Sequence, residues 1–331
     1  MNILLICGGG GTEHNVSISS ADYLEKIVKK VKDVNLIRVT ITNEAWLLND
    51  LDNCELSFNH FLMLESGWKQ KIDYVIPCIH GHPGESGQLL SYLELIKIPF
   101  MGCNSESSRI FFNKASTKLW LEHLSIPTTQ FKVVSNDSGA ITIAEQCLEI
   151  WGEVFIKPIN QGSSIGCHRV PTKENLIKSL KDSFRYSDKI LIEKYVKARE
   201  LEVAIYKHRG KLVISGIGEV SSSEDEFYTY EEKYSKNSVN NALTNPNNLS
   251  SDINKQINEI CRKIIKNIKI SDLSRIDFFY TCDREIYVNE INTFPGMTES
   301  SLFPRLLLED GCSMYDFIIE NVEHKLNKGV A

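Results

Sequence analysis

Apolar and polar positions follow two different periods in the first hundred residues. The apolar run from Asn2 to Cys7 is followed by four glycines, which predicts a buried strand and a tight turn. Across Val16–Lys30 the apolar residues recur every three or four positions, as on one face of a helix. Similar patterns predict two further strands and a second helix: Val34–Thr42, Tyr74–Ile79 and Gln88–Ile96. Strands separated by helices predict a parallel sheet with helices on its faces, and we assign this α/β domain to residues 1–103.

The periodicity changes after residue 103. Asn104–Leu124 has helical spacing and opens a second unit, assigned to residues 104–192. Four strand-like runs follow: Gln130–Val134, Glu153–Lys157, Cys167–Val170 and Lys189–Val196. A helix is predicted between the last two of them, at Lys173–Phe184. The third unit, residues 193–331, contains a polar stretch at 220–249 without clear periodicity. Because so long a loop within a domain is usually functional or disordered, we expect one or the other here.

Composition and charge exclude several classes of protein. The chain has 331 residues, enough for two or three compact lobes, and its net charge of -6 disfavours a nucleic-acid partner. No apolar run approaches the ~20 residues that cross a membrane, and Met1–Gly11 lacks the basic lead of a signal peptide. The nine cysteines include no C-x-x-C pair, as expected of free thiols in a reducing compartment. We therefore expect a cytoplasmic protein without a nucleic-acid or membrane partner.

Two strand-like runs near the C-terminal end, Arg275–Thr281 and Ile286–Asn292, predict a β-hairpin. If the turn consists of Asp283 and Arg284, the numbers of facing residues sum to 567. One face of the hairpin then ends in two opposed polar pairs: Asp277 with Glu290, and Arg275 with Asn292. Toward the turn, the same face is expected to become apolar, with three members: Phe279, Ile286 and Val288.

The polar end of this face suits a metal ion. Two opposed carboxylates beside an amide oxygen are ligands that a hard cation such as Mg²⁺ prefers. Without a cation, Asp277 and Glu290 would repel each other. A solvated face on which Arg275 simply neutralises Asp277 explains the same pattern, and the hairpin by itself leaves both interpretations open.

Two glycine-rich loops indicate contact with a ligand. Lys157–Gly166 follows a predicted strand and offers backbone and serine donors to an anion, although it lacks the Lys-Ser/Thr of a Walker A loop. Its Gly162–Gly166 portion also matches the nucleophile elbow of hydrolases, but that elbow requires a helix where a strand is predicted here. Near the Gly8–Gly11 loop, Glu13 replaces the third glycine of a dinucleotide-binding motif, where its charge would repel a pyrophosphate. Glu13 suits a substrate ammonium, or merely favours the start of a helix.

Taken in order along the chain, these segments resemble the D-alanine–D-alanine ligase family of the ATP-grasp superfamily. The resemblance covers nearly the whole chain and rests on these segments: Gly9–Ser17, His80–Gly87, Ile98–Gly102, Asn113-Lys114, Ile156–Pro158, Gly162–Gly166, Glu193–Val196, Glu200–Glu202, Tyr228–Tyr234, Arg275–Asp277, Asn289–Thr298 and Ser301-Leu302. It implies a three-domain α/β (α+β) fold with ATP between the central and C-terminal lobes, and a lid at 220–249. It also implies two D-alanine substrates, ATP, two Mg²⁺ ions that Mn²⁺ can replace, and a homodimer. Asn15 and Ser86 depart from the family pattern, which has glutamate and aspartate there.

The resemblance also implies a role for each matching residue. The ATP-binding residues would be Lys114, Lys157 and Lys233 for the phosphates, Glu193, Tyr195 and Val196 for adenine, and Glu200 for the ribose. The metal ligands would be Asp277, Glu290 and Asn292. The first D-alanine would be bound by Glu13 and His80, the oxyanion by Arg275 and the Gly296 N–H, and the second carboxylate by Ser301 and the Leu302 N–H. Tyr234 would close over the site and connect through Ser163 to Glu13.

Four other functions account for parts of the pattern. The nearest are ligases that take D-lactate or D-serine as the second substrate, and Tyr234 disfavours the D-lactate enzymes because they lack a tyrosine there. Another ATP-grasp carboxylate–amine ligase is disfavoured by the segments around Glu13 and Ser301. A nucleotide-binding protein without catalysis would not need the full set of charged residues, and a serine hydrolase would use Ser164.

Overall fold

The first of three β-sheets contains the predicted parallel strands, in a computed structural model that describes residues 1–220 and 242–328. Its elements are β1 (Asn2–Gly8), α1 (His14–Val28), β2 (Asn35–Ile41), β3 (Trp46–Leu48), β4 (Asp52–Leu56), β5 (Phe61–Leu64), β6 (Lys69–Lys71), β7 (Tyr74–Pro77) and α2 (Gln88–Leu95). The strand order is β6-β5-β4-β3-β2-β1-β7, and β1 is parallel to both of its neighbours. The antiparallel strands β3 to β6 were not predicted, because they are short and only partly buried and so carry little apolar periodicity.

The single helix predicted at 104–124 is wrong, because the chain forms two helices there. They are α3 (Ser105–Phe112) and α4 (Lys114–His123). Asn113 leaves the helical conformation, with φ -83° and ψ 102°, and its side-chain oxygen accepts a hydrogen bond from the Ser116 N–H at 2.9 Å. Asparagine is among the best N-cap residues, so Asn113 ends one helix and begins the next. The break places Lys114 at the first position of α4.

The central sheet consists of antiparallel strands in the order β10-β9-β11-β8. Its elements are β8 (Phe131–Ser135), α5 (Ala140–Trp151), β9 (Val154–Pro158), β10 (His168–Val170), α6 (Lys173–Ser183) and β11 (Lys189–Lys194). Strand β11 ends two residues before its predicted end at Val196. Tyr195 and Val196 therefore lie in the short segment that leads into the C-terminal sheet.

The C-terminal sheet is antiparallel, in the order β14-β13-β12-β15-β16. Its strands and the helices around it are β12 (Ala198–His208), β13 (Lys211–Val220), β14 (Ala242–Leu243), α7 (Ser251–Asn267), β15 (Leu273–Thr281), β16 (Ile286–Asn292), α8 (Leu302–Glu309) and α9 (Met314–Lys328). Most of the predicted lid at 220–249 lies outside the described residues. Of its described part, Ala242–Leu243 pairs with the end of β13.

The β15–β16 hairpin has the predicted pairs at its far end, but the predicted turn is wrong. Three residues form the turn, Cys282 to Arg284, and Arg284 has a left-handed conformation with φ 63°. The numbers of facing residues therefore sum to 566 near the turn. Asn289 is an extra residue in β16, a β-bulge, and beyond it the two polar pairs face each other as predicted.

The bulge also corrects the expected apolar end of the shared face. Because Asn289 shifts the register by one residue, Ile286 and Val288 point to the opposite face from the polar pairs. There Val288 faces Phe278, and all three side chains are buried in the core beneath α7. Phe279 remains on the polar face, opposite Tyr287.

The first and C-terminal sheets share one apolar core. It joins buried residues of β1 and α1 to residues of α8 and α9, including Phe303 and Phe317. Asp272, which is fully buried, adds a polar link: it accepts a hydrogen bond from the Gly102 N–H at 2.9 Å and forms ion pairs with Lys207 and Lys325 at 3.1 and 2.7 Å. These contacts hold the first domain against the C-terminal sheet.

Candidate active site

Glu13 lies where loops of the first and central domains meet. It immediately precedes α1, is 8% exposed, and its Oε1 accepts a hydrogen bond from the Ser163 hydroxyl at 2.6 Å. Gly81 and Gly162 border it so closely that a Cβ at either position would lie 2.5 or 2.7 Å from a carboxylate oxygen. A side chain at either position would push the Glu13 carboxylate aside, so the two loops lie close around this one group.

A second carboxyl group in this pocket, Glu85, was not singled out from the sequence. It accepts hydrogen bonds from the N–H groups of Gly81 at 2.9 Å and Phe294 at 3.4 Å. Burial, together with the negative charge of Glu13, raises the pKa of Glu85 to about 8. The group is therefore mostly protonated at neutral pH. Its segment was part of the resemblance, but nothing in residue type or spacing shows that this glutamate is buried.

His80 supports the backbone on the other side of the pocket. Its Nε2 lies 2.8 Å from the Ser20 hydroxyl, which in turn accepts a hydrogen bond from the Met297 N–H at 3.3 Å. The ring packs edge-on against Phe294, with centroids 5.8 Å apart. Burial lowers the pKa of His80 to about 4, so the ring is neutral at neutral pH.

Arg275 is surrounded by carboxylates on the C-terminal sheet. Its guanidinium donates two hydrogen bonds to Asp277, both 2.7 Å long, and lies 3.1 Å from Glu202. Burial opposes its charge, but Asp277 and Glu202 outweigh burial and raise the pKa of Arg275. Glu202 faces Asp277 across β12 and β15 and was not assigned a role from the sequence. The Asn292 amide nitrogen also contacts Asp277, at 3.0 Å.

The donor set on this face fits a divalent cation. Asp277, Glu290 and Asn292 present two carboxylates and an amide at one end of the hairpin, and hard cations prefer such oxygen ligands. The neutralisation of Asp277 by Arg275, which the sequence left as an alternative, is present as a bidentate contact. The same residues therefore provide both an internal ion pair and side-chain oxygens of the kind that a divalent cation prefers.

Two lysines reach this face from the central domain. Lys114 Nζ donates to the Gln161 carbonyl at 2.8 Å and lies 3.1 Å from a Glu290 oxygen. Burial alone would lower the pKa of Lys114, but the charge of Glu290 outweighs it and the pKa is raised. Lys157 Nζ donates to Oδ1 of Asn289, the bulge residue, at 3.1 Å. The bulge thus turns the Asn289 amide toward the Lys157 ammonium at the end of β9. A regular strand pattern does not reveal this contact.

The residues expected around adenine and ribose lie at the junction of the two sheets. Glu193 is 3% exposed, and its carboxylate contacts Lys157 at 2.5 Å. The Tyr195 ring is stacked under the Arg169 guanidinium, with 4.4 Å between guanidinium carbon and ring centroid. Val196 and Glu200 are partly exposed at the start of the C-terminal sheet. The junction of two domains is a usual place for a small-molecule or cofactor site.

Ser301 stands at the start of α8, beside Gly296. Its hydroxyl contacts the Thr298 hydroxyl at 2.7 Å and does not cap the helix. Leu302, the first residue of α8, is 4% exposed, with its side chain in the shared core. The first amides of α8 therefore remain without a side-chain cap from Ser301, which favours an anion there. Lys233 and Tyr234 lie outside the described residues.

Two family models match this chain. The model described as D-ala D-ala ligase N-terminus matches residues 2–103, and D-ala D-ala ligase C-terminus matches residues 120–323. The chain belongs to the D-alanine–D-alanine ligase family.

Individual relatives in this family are similar over nearly their whole length. The D-alanine--D-alanine ligase of Aeromonas hydrophila subsp. hydrophila is 44% identical over 319 residues, which cover 96% of this chain and 97% of the relative. The crystal structure of D-alanyl-alanine synthetase A from Vibrio cholerae O1 biovar eltor has a TM-score of 0.93 and 40% identity, with 98% of each chain covered. VanG D-Ala:D-Ser ligase from Enterococcus faecalis has a TM-score of 0.83 and 25% identity, with 98% of this chain and 99% of that chain covered.

Membership of the D-alanine–D-alanine ligase family confirms the ATP-grasp fold and the ligase activity expected from the sequence. Members of this family use ATP and Mg²⁺. The hydrolase alternative loses its structural basis as well, because Ser164 is followed by a turn and strand β10, where the elbow requires a helix. Within residues 1–220 and 242–328, no helix is both long and apolar enough to cross a membrane.

Proposed function

We propose that the protein joins two molecules of D-alanine, with conversion of ATP to ADP and phosphate, for the synthesis of peptidoglycan precursors. The observation that carries the proposal is the convergence of cations and carboxylates between two lobes. Lys114 and Lys157 of the central domain contact Glu290 and Asn289 of the hairpin, each at 3.1 Å. A nucleotide triphosphate with its metal supplies the matching charges for both sets of residues.

In the first step, the carboxylate of one D-alanine attacks the γ-phosphorus of ATP, giving an acyl phosphate and ADP. Glu13 holds the ammonium of this D-alanine, and Ser163 fixes the Glu13 carboxylate through their 2.6 Å hydrogen bond. Lys114, Lys157 and Lys233 offset charge on the phosphates, while the segment from Glu193 to Val196 and the Glu200 side chain hold adenine and ribose.

Asp277, Glu290 and Asn292 would hold Mg²⁺, with Mn²⁺ as a substitute. Two ions are proposed, and their charge would offset that of the phosphate oxygens during transfer. Glu202 and Arg275 flank the same face, and the Arg275 guanidinium contacts both Glu202 and Asp277.

In the second step, the amine of the other D-alanine attacks the acyl carbon, and phosphate leaves. Arg275 and the Gly296 N–H would stabilise the oxyanion, while Ser301 and the Leu302 N–H hold the second carboxylate. His80, held by Ser20, supports the Phe294–Met297 segment that carries Gly296. Tyr234, on a lid at 220–249, would close over the acyl phosphate and exclude water.

We also propose domain limits at residues 1–103, 104–192 and 193–331, a cytoplasmic location and a homodimer. The first limit agrees with the family match that ends at residue 103. Size-exclusion chromatography with light scattering tests the dimer.

Phosphate release from MgATP tests the reaction. We expect release only when D-alanine is present, with the dipeptide as product in equal amount. Equal activity with L-alanine would contradict the substrate assignment. D-lactate and D-serine, each supplied with limiting D-alanine, test the second site, and faster formation of a mixed product than of the dipeptide would reassign the second substrate.

A further inference from the structure

Lys118 is a buried cation to which neither the sequence nor the proposed mechanism gives a role. It lies on α4, one turn after Lys114, and is 1% exposed. Its ammonium donates to the hydroxyls of Thr128 and Thr129 at 2.8 and 2.9 Å and to the Thr129 carbonyl at 3.2 Å, and it forms an ion pair with Glu193. Lysine is almost never so deeply buried unless it is paired.

Glu193 connects this lysine to the phosphate site. One carboxylate oxygen, Oε1, contacts Lys118 and accepts a hydrogen bond from the Thr129 hydroxyl at 2.9 Å. The other, Oε2, lies 2.5 Å from Lys157 Nζ. Burial would raise the pKa of Glu193, but the two lysines outweigh burial and lower it to about 2. The row Lys118–Glu193–Lys157 therefore contains two cations and one anion.

The charge of this row decides what Lys157 can offer to a ligand. If Lys118 were neutral, Glu193 and Lys157 would form an ion pair without net charge. Because the pair is buried, where the effective dielectric constant is low, the attraction between the two charges is strong. With Lys118 present, the carboxylate is shared, and one positive charge is left over. Lys157 is the member of the row that reaches the hairpin face, through Asn289 at 3.1 Å.

We propose that Lys118 is a positioning residue for nucleotide binding: it balances Glu193 and so leaves the positive charge of Lys157 available to the phosphates of ATP. This inference rests on the proposed role of Lys157 as a phosphate ligand. A purely structural role, in which Lys118 only fastens α4 to the start of β8, makes different predictions.

Calorimetric titration of the full-length protein with MgADP and with adenosine separates the two roles. The ratio of the Kd for adenosine to the Kd for MgADP isolates the contribution of the phosphates. We expect Lys118→Met, which keeps the length of the side chain but not its charge, to lower this ratio at least tenfold. A loss of affinity that is equal for both ligands would overturn the proposal.

The double variant Lys118→Met/Glu193→Gln provides the sharper test. It removes one cation and one anion, so Lys157 again carries an unbalanced charge, and the ratio should return to within about threefold of the wild-type value, well inside the tenfold that 1.4 kcal/mol represents. A structural role predicts no recovery. Because the double variant leaves no unpaired carboxylate in the core, it tests the proposal even where Lys118→Met does not fold, and a tenfold loss in it would refute the inference.

Lys157→Met separates failure of the inference from failure of the proposed function. If Lys157 binds phosphate, this variant lowers the ratio on its own. An unchanged ratio would remove the phosphate role of Lys157, and the inference with it. A lowered ratio in Lys157→Met together with a wild-type ratio in Lys118→Met would refute the role of Lys118 alone.

Discussion

The carboxyl group of Glu85 should make the stability of the ligand-free protein fall as pH rises. Its pKa is raised to about 8 in the folded chain, against 4.5 for an ordinary glutamate, by burial and by the charge of Glu13. Between these two values the unfolded chain loses a proton that the folded chain retains. The perturbation that tests this is Glu85→Gln, which keeps the shape of the side chain but cannot ionise.

The size of the effect follows from the interval of 3.5 pH units between 4.5 and 8. Each unit corresponds to about 1.4 kcal/mol, so up to about 5 kcal/mol of stability is present below pH 4.5 and is lost as pH rises through 8. The Glu85→Gln variant escapes this loss. It gives up about 1 kcal/mol at every pH, because its single carbonyl oxygen cannot accept hydrogen bonds from both Gly81 and Phe294 as the two carboxyl oxygens do.

The assay is the melting temperature of both proteins without ligands, measured from pH 5 to pH 9. We expect Glu85→Gln to melt at about the same temperature as the wild type at pH 5 and above it at pH 8.5. About 4 kcal/mol at roughly 2 °C per kcal/mol gives a difference of about 8 °C at the higher pH. Glu44→Gln, at an exposed position, serves as the control and should follow the wild type throughout. Parallel curves for Glu85→Gln and wild type would refute the reasoning.

Three further predictions concern the hairpin and α4. Glu290→Gln should abolish phosphate release while the melting temperature shows a folded protein, and near-normal activity would contradict the metal role. The control is Glu285→Gln, at an exposed position near the turn of the same hairpin. Asn289→Leu removes the hydrogen-bond acceptor for Lys157. Because hydrogen bonds to charged groups contribute about 1.5–3 kcal/mol, the KM for ATP should rise at least about tenfold, with the KM for D-alanine unchanged. Equal rises of both KM values in steady-state assays would contradict this role of Asn289. Asn113→Ala should cost about 1 kcal/mol through loss of the α4 cap and lower the melting temperature by about 2–4 °C, and an unchanged melting temperature would show that the cap is dispensable.

The parts of the fold that could be predicted from the sequence are those with strong apolar periodicity. β1 is completely buried from Ile3 to Cys7, and such strands give continuous apolar runs. The break between α3 and α4 was missed because the apolar spacing continues through it. The helix break is marked by a local hydrogen bond from the Ser116 N–H to Asn113, and a capping residue inside a periodic segment resembles any other polar surface residue.

The hairpin shows why the candidate site could be predicted better than its surroundings. Two departures from the simple hairpin, the three-residue turn and the bulge at Asn289, change the register by one residue each in opposite directions. They cancel at Asp277 and Glu290, so these residues face each other as predicted, whereas the face nearer the turn was assigned wrongly. Residues such as Lys118 and Glu85 could not be found from residue type alone, because their roles depend on burial and on charges from distant parts of the chain.

Each cation that faces the proposed phosphate and metal sites already has a carboxylate partner within the described residues. Arg275 contacts Asp277 at 2.7 Å, Lys114 contacts Glu290 at 3.1 Å, and Lys157 contacts Glu193, which it shares with Lys118, at 2.5 Å. Buried charges are costly unless they are paired, so a ligand that carried only negative charge would release carboxylates without a partner. When a phosphate binds together with a divalent cation, both members of an ion pair receive a new partner. The phosphate pairs with the protein cations, and the metal ion pairs with the carboxylates. The sequence left open whether Asp277 is neutralised by Arg275 or binds a metal ion. The ion pair and the proposed metal site are therefore two states of the same residues, without and with the ligand.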